Sequence, residues 1–94
     1  MGSVDQTFVM DPDADLLFER DFTPWLAGET LTTVSWIIDV PDKLDQHDDF
    51  IDGTSAKVWL KGKGTEGVSK VTCVFRSSGG REDNRTWSIE LKHR

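Results

Sequence analysis

Apolar and polar residues alternate with a period of two along most of this chain, and that alternation predicts strands. Leu16, Phe18, Arg20 and Phe22 alternate with Leu17, Glu19 and Asp21, giving a first strand whose apolar face Arg20 interrupts near the edge of the core. Residues 30–40 form the longest β-like run, rich in β-branched residues, with Val34, Trp36, Ile38 and Val40 on one face and Thr33 and Ser35 opposite. Ala56, Val58 and Leu60 share a face in the next clear strand, and Lys57, Trp59 and Lys61 take the other. Residues 68–77 read as a further strand. The last places Arg85, Trp87, Ile89 and Leu91 against Thr86, Ser88, Glu90 and Lys92.

The punctuation between these runs fits tight connections. Gly62-Lys63-Gly64-Thr65-Glu66-Gly67 and Ser78-Gly79-Gly80-Arg81-Glu82-Asp83 are turn compositions. Thr23-Pro24-Trp25-Leu26-Ala27-Gly28 predicts one helical turn, with Thr23 as cap, Pro24 at the first helical position and Gly28 as a left-handed exit. Trp25 and Leu26 then fold over one end of the core. Residues 42–53 read as an acidic loop anchored by Leu44, Phe50 and Ile51. Residues 1–10 read as an N-terminal lead with little periodicity, outside a single domain over residues 11–94. No stretch sustains helical periodicity and none repeats. The expected fold is all-β: an antiparallel β-sandwich of about six or seven strands, immunoglobulin-like in preference to a closed barrel.

Length and composition narrow the function. Ninety-four residues make one small domain, and four Trp with five Phe are too many for a segment that never packs. A formal charge of −6 disfavours nucleic acid and anionic membrane surfaces, since both require cationic patches. No apolar run approaches the roughly 20 residues that span a bilayer. Met1-Gly2-Ser3-Val4-Asp5-Gln6 lacks the basic and apolar regions of a signal peptide, which predicts synthesis in a cytoplasm. Cys73, the single cysteine, excludes an intramolecular disulfide and reads as a buried small hydrophobe in Val71-Thr72-Cys73-Val74-Phe75. Asn84-Arg85-Thr86 matches the glycosylation sequon, a chance match in a chain with no secretion signal.

Candidate chemistry is sparse. Asp11, Asp13 and Asp15 resemble the opening of a calcium loop, but Leu16 stands where such a loop needs Gly and Phe22 where it needs Glu. Asp45, His47, Asp48, Asp49 and Asp52 read as a solvated acidic loop before they read as a cation site. No Ser or Cys sits in a nucleophile context, and neither His47 nor His93 has a sequence partner that would make it a catalytic base. The glycines at 62, 64 and 67 lie between strands, with no helix to help cradle a phosphate. No catalytic residue, cofactor or metal is expected. Trp36 and Trp87 fall on core faces. Trp59 falls among lysines on an outward face, the composition of a protein contact.

Several ordered pieces together resemble a known family. They are Asp11-Pro12-Asp13-Ala14, Trp25-Leu26, Gly28-Glu29-Thr30, Ser35-Trp36, Ala56-Lys57-Val58-Trp59-Leu60, Val71-Thr72 and Gly80-Arg81-Glu82-Asp83-Asn84-Arg85-Thr86-Trp87-Ser88-Ile89. This set is similar to small virion proteins of tailed bacteriophages, the fibre–tail adaptors. The resemblance implies an immunoglobulin-like virion part without catalytic residues, made in the bacterial host cytoplasm. It also implies several copies in a symmetric assembly, docked on tail, portal-proximal or fibre proteins. A capsid or tail decoration domain is the nearest alternative; a freestanding module binding carbohydrate or a host surface is the other. The expected partner interface comprises Trp59 with Lys57 and Lys61, together with Phe8, Val9 and Met10 from the lead.

Overall fold

In a computed structural model, residues 4–93 are described, with side chains from residue 6 onward. The chain runs β1 (Val4–Met10), β2 (Asp15–Asp21), α1 (Thr23–Leu26), β3 (Leu31–Ile38), β4 (Leu44–Asp52), β5 (Ser55–Gly62), β6 (Gly67–Ser77) and β7 (Glu82–Leu91). The strands form two facing sheets, β1-β7-β6-β3 and β2-β5-β4. All pairs are antiparallel except β1 with β7, which is parallel. Strands 2, 5 and 4 against 3, 6 and 7 is the distribution of B, E, D and C, F, G in immunoglobulin domains, while β1 lies beside β7 instead of β2.

The alternation read from the sequence places the core. Ala56, Val58 and Leu60 of β5 face Val71, Cys73 and Phe75 of β6 and Trp87, Ile89 and Leu91 of β7, all buried. Phe18, Trp36 and Trp87 form an aromatic centre with ring centroids 5.5–6.3 Å apart. At one end Phe22 stacks on Phe75 at 4.1 Å, and Trp25 meets the same ring edge-on at 4.7 Å. Leu26 closes that end, fully buried, as the sequence suggests.

Three expectations are corrected. Most of the segment read as a lead is strand β1: Phe8 and Met10 alternate inward, and five of its residues register with β7. Its polar start and the register shift between Val4 and Thr7 hide that alternation. Residues 1–3 of the lead lie outside the described residues. The segment read as an acidic loop is mostly strand β4, a nine-residue edge strand. Between His47 and Phe50 its register with β5 slips by one residue, and Asp48 there adopts φ +50°. Such a bulge reverses which parity faces inward: Leu44 and Gln46 point in before it, Ile51 after it. Finally, Thr23 does not cap α1. Asp21 does the equivalent work, its Oδ1 accepting the Thr23 backbone N–H at 3.0 Å and the Thr23 hydroxyl at 2.6 Å. The exit turn uses Ala27 at φ +52° as well as Gly28 at φ +92°.

The two flanks of the sandwich differ. On the β3/β4 side the Gln46 amide reaches across to donate to the Trp36 carbonyl at 2.8 Å. On the β1/β2 side the sheets meet through Phe8 and Phe18, ring edge to face at 5.2 Å.

Candidate docking surface

The outer face of the β2-β5-β4 sheet is where the sequence placed Trp59, and pairing register fixes its neighbours. Leu17 and His47 lie directly across from Trp59 on β2 and β4, while Glu19 and Phe50 flank Lys57. Residues directly opposite share a face, so Leu17, Trp59 and Phe50 form an apolar stripe over three strands. These residues are 43%, 36% and 46% exposed.

The polar residues around the stripe are bonded to one another. The His47 ring stacks on Trp59 at 6.1 Å and 19°. Its Nδ1 lies 2.7 Å from Asp48 Oδ2 and its Nε2 2.8 Å from Asp15 Oδ1, so one imidazole ties β2 to β4 across β5. Hydrogen bonds to Asp48 and Asp15 favour the protonated ring and raise its pKa above the ordinary value. Lys57 Nζ bonds Asp52 at 3.1 Å, lies 3.4 Å from Glu19 and sits 5.6 Å over the Phe50 ring. Its pKa is raised, chiefly by the Asp52 bond. Lys57 is thus a cross-strand tie as much as a contact residue, whereas Lys61 is exposed.

The other expected contact residues divide. Met10 is buried in the core, Phe8 is half-buried against it, and Val9 is exposed. Leu17, His47 and Phe50 were not expected here, because Leu17 and His47 meet Trp59 only through cross-strand register and Phe50 joins their face only through the β4 bulge. Leu17 had a visible signal: an apolar residue on the polar face of its strand.

Asp11, Asp13 and Asp15, in a segment that already departed from a calcium loop, separate in the fold. Asp15 turns to His47, while Asp11 and Asp13 approach His93, their ligand atoms within 4.8 Å of one another. Asp11 Oδ1 already accepts the Asp13 N–H at 2.8 Å, closing the turn before β2. Cys73 is buried among apolar side chains, and burial pushes its thiol up to about 12. Among the described residues no helix is long and apolar enough to cross a membrane.

The chain is therefore a small two-sheet β-sandwich with an apolar stripe on one solvent-facing sheet. Comparison with known proteins assigns it further: residues 10–90 match the family described as Podophage GP4 fiber-tail adaptor protein gp77, and the chain belongs to that family, a structural family of phage virion proteins. No curated protein matches it. It is also similar to the crystal structure of the cysteine protease inhibitor EhICP2 from Entamoeba histolytica, with 14% identity and a TM-score of 0.53 over 93% of this chain and 85% of that one. At that identity the likeness is one of fold alone.

Proposed function

We propose that this chain is a non-enzymatic joint of the virion, fastening tail and fibre components together through the outer face of its β2-β5-β4 sheet. The observation that carries this reading is the stripe of Leu17, Trp59 and Phe50. A small sandwich has a core on its inner faces and no folding need for three large apolar side chains outside. Trp at the centre of a patch rimmed by charge is the composition of an interface anchor. The rim carries Asp15, Glu19, Asp45 and Asp52 against Lys57 and Lys61, which favours a partner surface with exposed cations. Val9, with Phe8 behind it, lies on the β1 edge and extends the contact region. The chain is made in the host cytoplasm, is built into the particle in several symmetry-related copies, and takes no part in binding nucleic acid or membrane. Repetition by symmetry lets a modest contact per copy hold the joint.

Replacing Trp59 by Ala tests this. The unfolding free energy of the isolated chain should change by less than about 1 kcal/mol, as expected for a surface position. Phage complemented with this variant should assemble particles that lack the chain or the component it fastens. A destabilised variant that still enters particles at the normal copy number would overturn the reading.

A further inference from the structure

The open β1/β2 flank holds a second feature. Beside Phe8 and Phe18 lies a recess of about 420 Å³ whose walls include Gln6, Arg20, Asp21, Trp25, Arg85 and Trp87. Arg20 is the residue whose charge interrupts the apolar pattern of β2. Its guanidinium carbon lies 5.4 Å from the Phe8 ring centroid, 5.7 Å from Phe18 and 5.5 Å from Trp87. Three rings thus hold the cation by attraction to their faces.

Among the described residues its hydrogen-bonding capacity is nearly unused. A guanidinium has five N–H donors. Arg20 spends one, from Nη2 to Gln6 Oε1 at 3.4 Å, and among the described residues no carboxylate pairs with it. The nearby acids are engaged elsewhere. Asp21 accepts from Thr23, and those bonds lower its pKa. Asp83 accepts from Arg85 at 3.0 Å. The chain has 17 acidic residues to 11 basic ones, so a cation left without a carboxylate is not a matter of supply. A partly desolvated guanidinium with free donors forms a stronger bond to a carboxylate than an exposed one does.

The same flank continues into an apolar recess of about 190 Å³ lined by Val9, Leu16, Leu17 and Phe18. Leu16, 51% exposed, is the most exposed apolar residue there. Leu16 and Arg20 are four residues apart on β2, about 13 Å along a strand, and point to the same side.

We infer that the β1/β2 flank binds an extended segment of another protein chain, which places a carboxylate on Arg20 and, four residues away, an aliphatic side chain over Leu16. The inference rests on the docking role proposed above and adds a second contact, with a defined partner chemistry. The edges of β1 and β2 border the flank, and edge strands are where extended segments add to a sheet.

The test uses the full chain labelled for NMR and a blocked pentapeptide, Glu-Thr-Ser-Thr-Leu, with its reversed sequence and the Gln counterpart of each. A Glu peptide should move the Arg20 Nε–H and the Trp25 and Trp87 indole N–H signals, and its Gln counterpart should bind about tenfold more weakly or worse. Arg20→Gln should abolish the response. Arg20→Lys keeps a cation near the rings but loses the fork, and should weaken it with the fold unchanged. Equal binding of Glu and Gln peptides, or shifts confined to Trp59, would overturn the inference. So would cleft signals that move with protein concentration alone, since the occupant would then be a second copy. Particle composition separates this from the adaptor role. If the Arg20→Gln chain enters particles at the normal copy number, the cleft inference fails and the role stands. If the unaltered chain is absent from particles, the role itself fails.

Discussion

Removing the Trp36 side chain is the most informative perturbation of the fold. Trp36 is 5% exposed, at the centre of β3, with Phe18 at 6.0 Å and Trp87 at 6.3 Å between ring centroids. Buried Trp or Phe to Ala substitutions cost about 3–5 kcal/mol, combining lost transfer energy with the cavity left behind. A domain of this size has about 5–14 kcal/mol of stability, so Trp36→Ala should remove about a fifth or more of it. Each kcal/mol corresponds to about 4–8 °C in midpoint, so the fall should exceed about 12 °C. A second variant refines the argument. The indole Nε1 is buried and has no hydrogen-bond partner among the described residues. An unpaired buried donor costs about 1–3 kcal/mol, so Trp36→Phe loses volume but sheds that penalty. Its net cost should stay below about 1.5 kcal/mol. Urea unfolding followed by circular dichroism and fluorescence measures both. A near-neutral Trp36→Ala would mean that β3 presents its other face to the core. A Trp36→Phe as damaging as Trp36→Ala would mean that the indole N–H is bonded in solution.

Three further outcomes are expected. His47 has a folded pKa raised above 6.5 by Asp48 and Asp15. Its tie between β2 and β4 is therefore complete below the unfolded value and lost as pH rises through the folded one; NMR titration should show this, and a His47 pKa below 6.5 would refute it. Gly62→Ala should cost at least about 2 kcal/mol, because a Cβ there would lie 2.1 Å from the Pro12 carbonyl oxygen, a backbone atom with little freedom to move. Calorimetry checks it, and an unchanged midpoint would mean that the turn before β2 is loosely held. Cys73, with its thiol held near 12, should resist thiol reagents at pH 8 until the chain unfolds; rapid labelling of the folded chain would contradict its place in the core.

The sequence was most legible where one strand face is buried and the other wet. The faces of β3, β5 and β7 follow directly from alternation, because a slip of one residue would expose the whole apolar set. Trp36, Val58 and Ile89 are inside for that reason. The strands that escaped notice are edges. In β4 the bulge at Asp48 moves the inward set from even to odd positions, and acidic residues along an edge strand resemble a loop although they protect an open edge from unwanted pairing. In β1 only Phe8 and Met10 among the described side chains turn inward, too short an alternation to read as a strand. The candidate surface was half legible. Trp59 stood out against its lysines, whereas Leu17, His47 and Phe50 reach it only through cross-strand register. Arg20 was visible as an anomaly in an apolar run, but two of its three aromatic neighbours, Phe8 and Trp87, come from other strands.

In the proposed role this chain joins virion components through the outer face of its three-stranded sheet. A cryo-electron microscopy reconstruction of purified particles tests that role most directly. The sandwich should appear in several symmetry-related copies at the junction of tail and fibre, with Leu17, Trp59 and Phe50 covered by a neighbouring protein. Particles complete without it, or copies whose β2-β5-β4 face is bare to solvent throughout, would contradict the account.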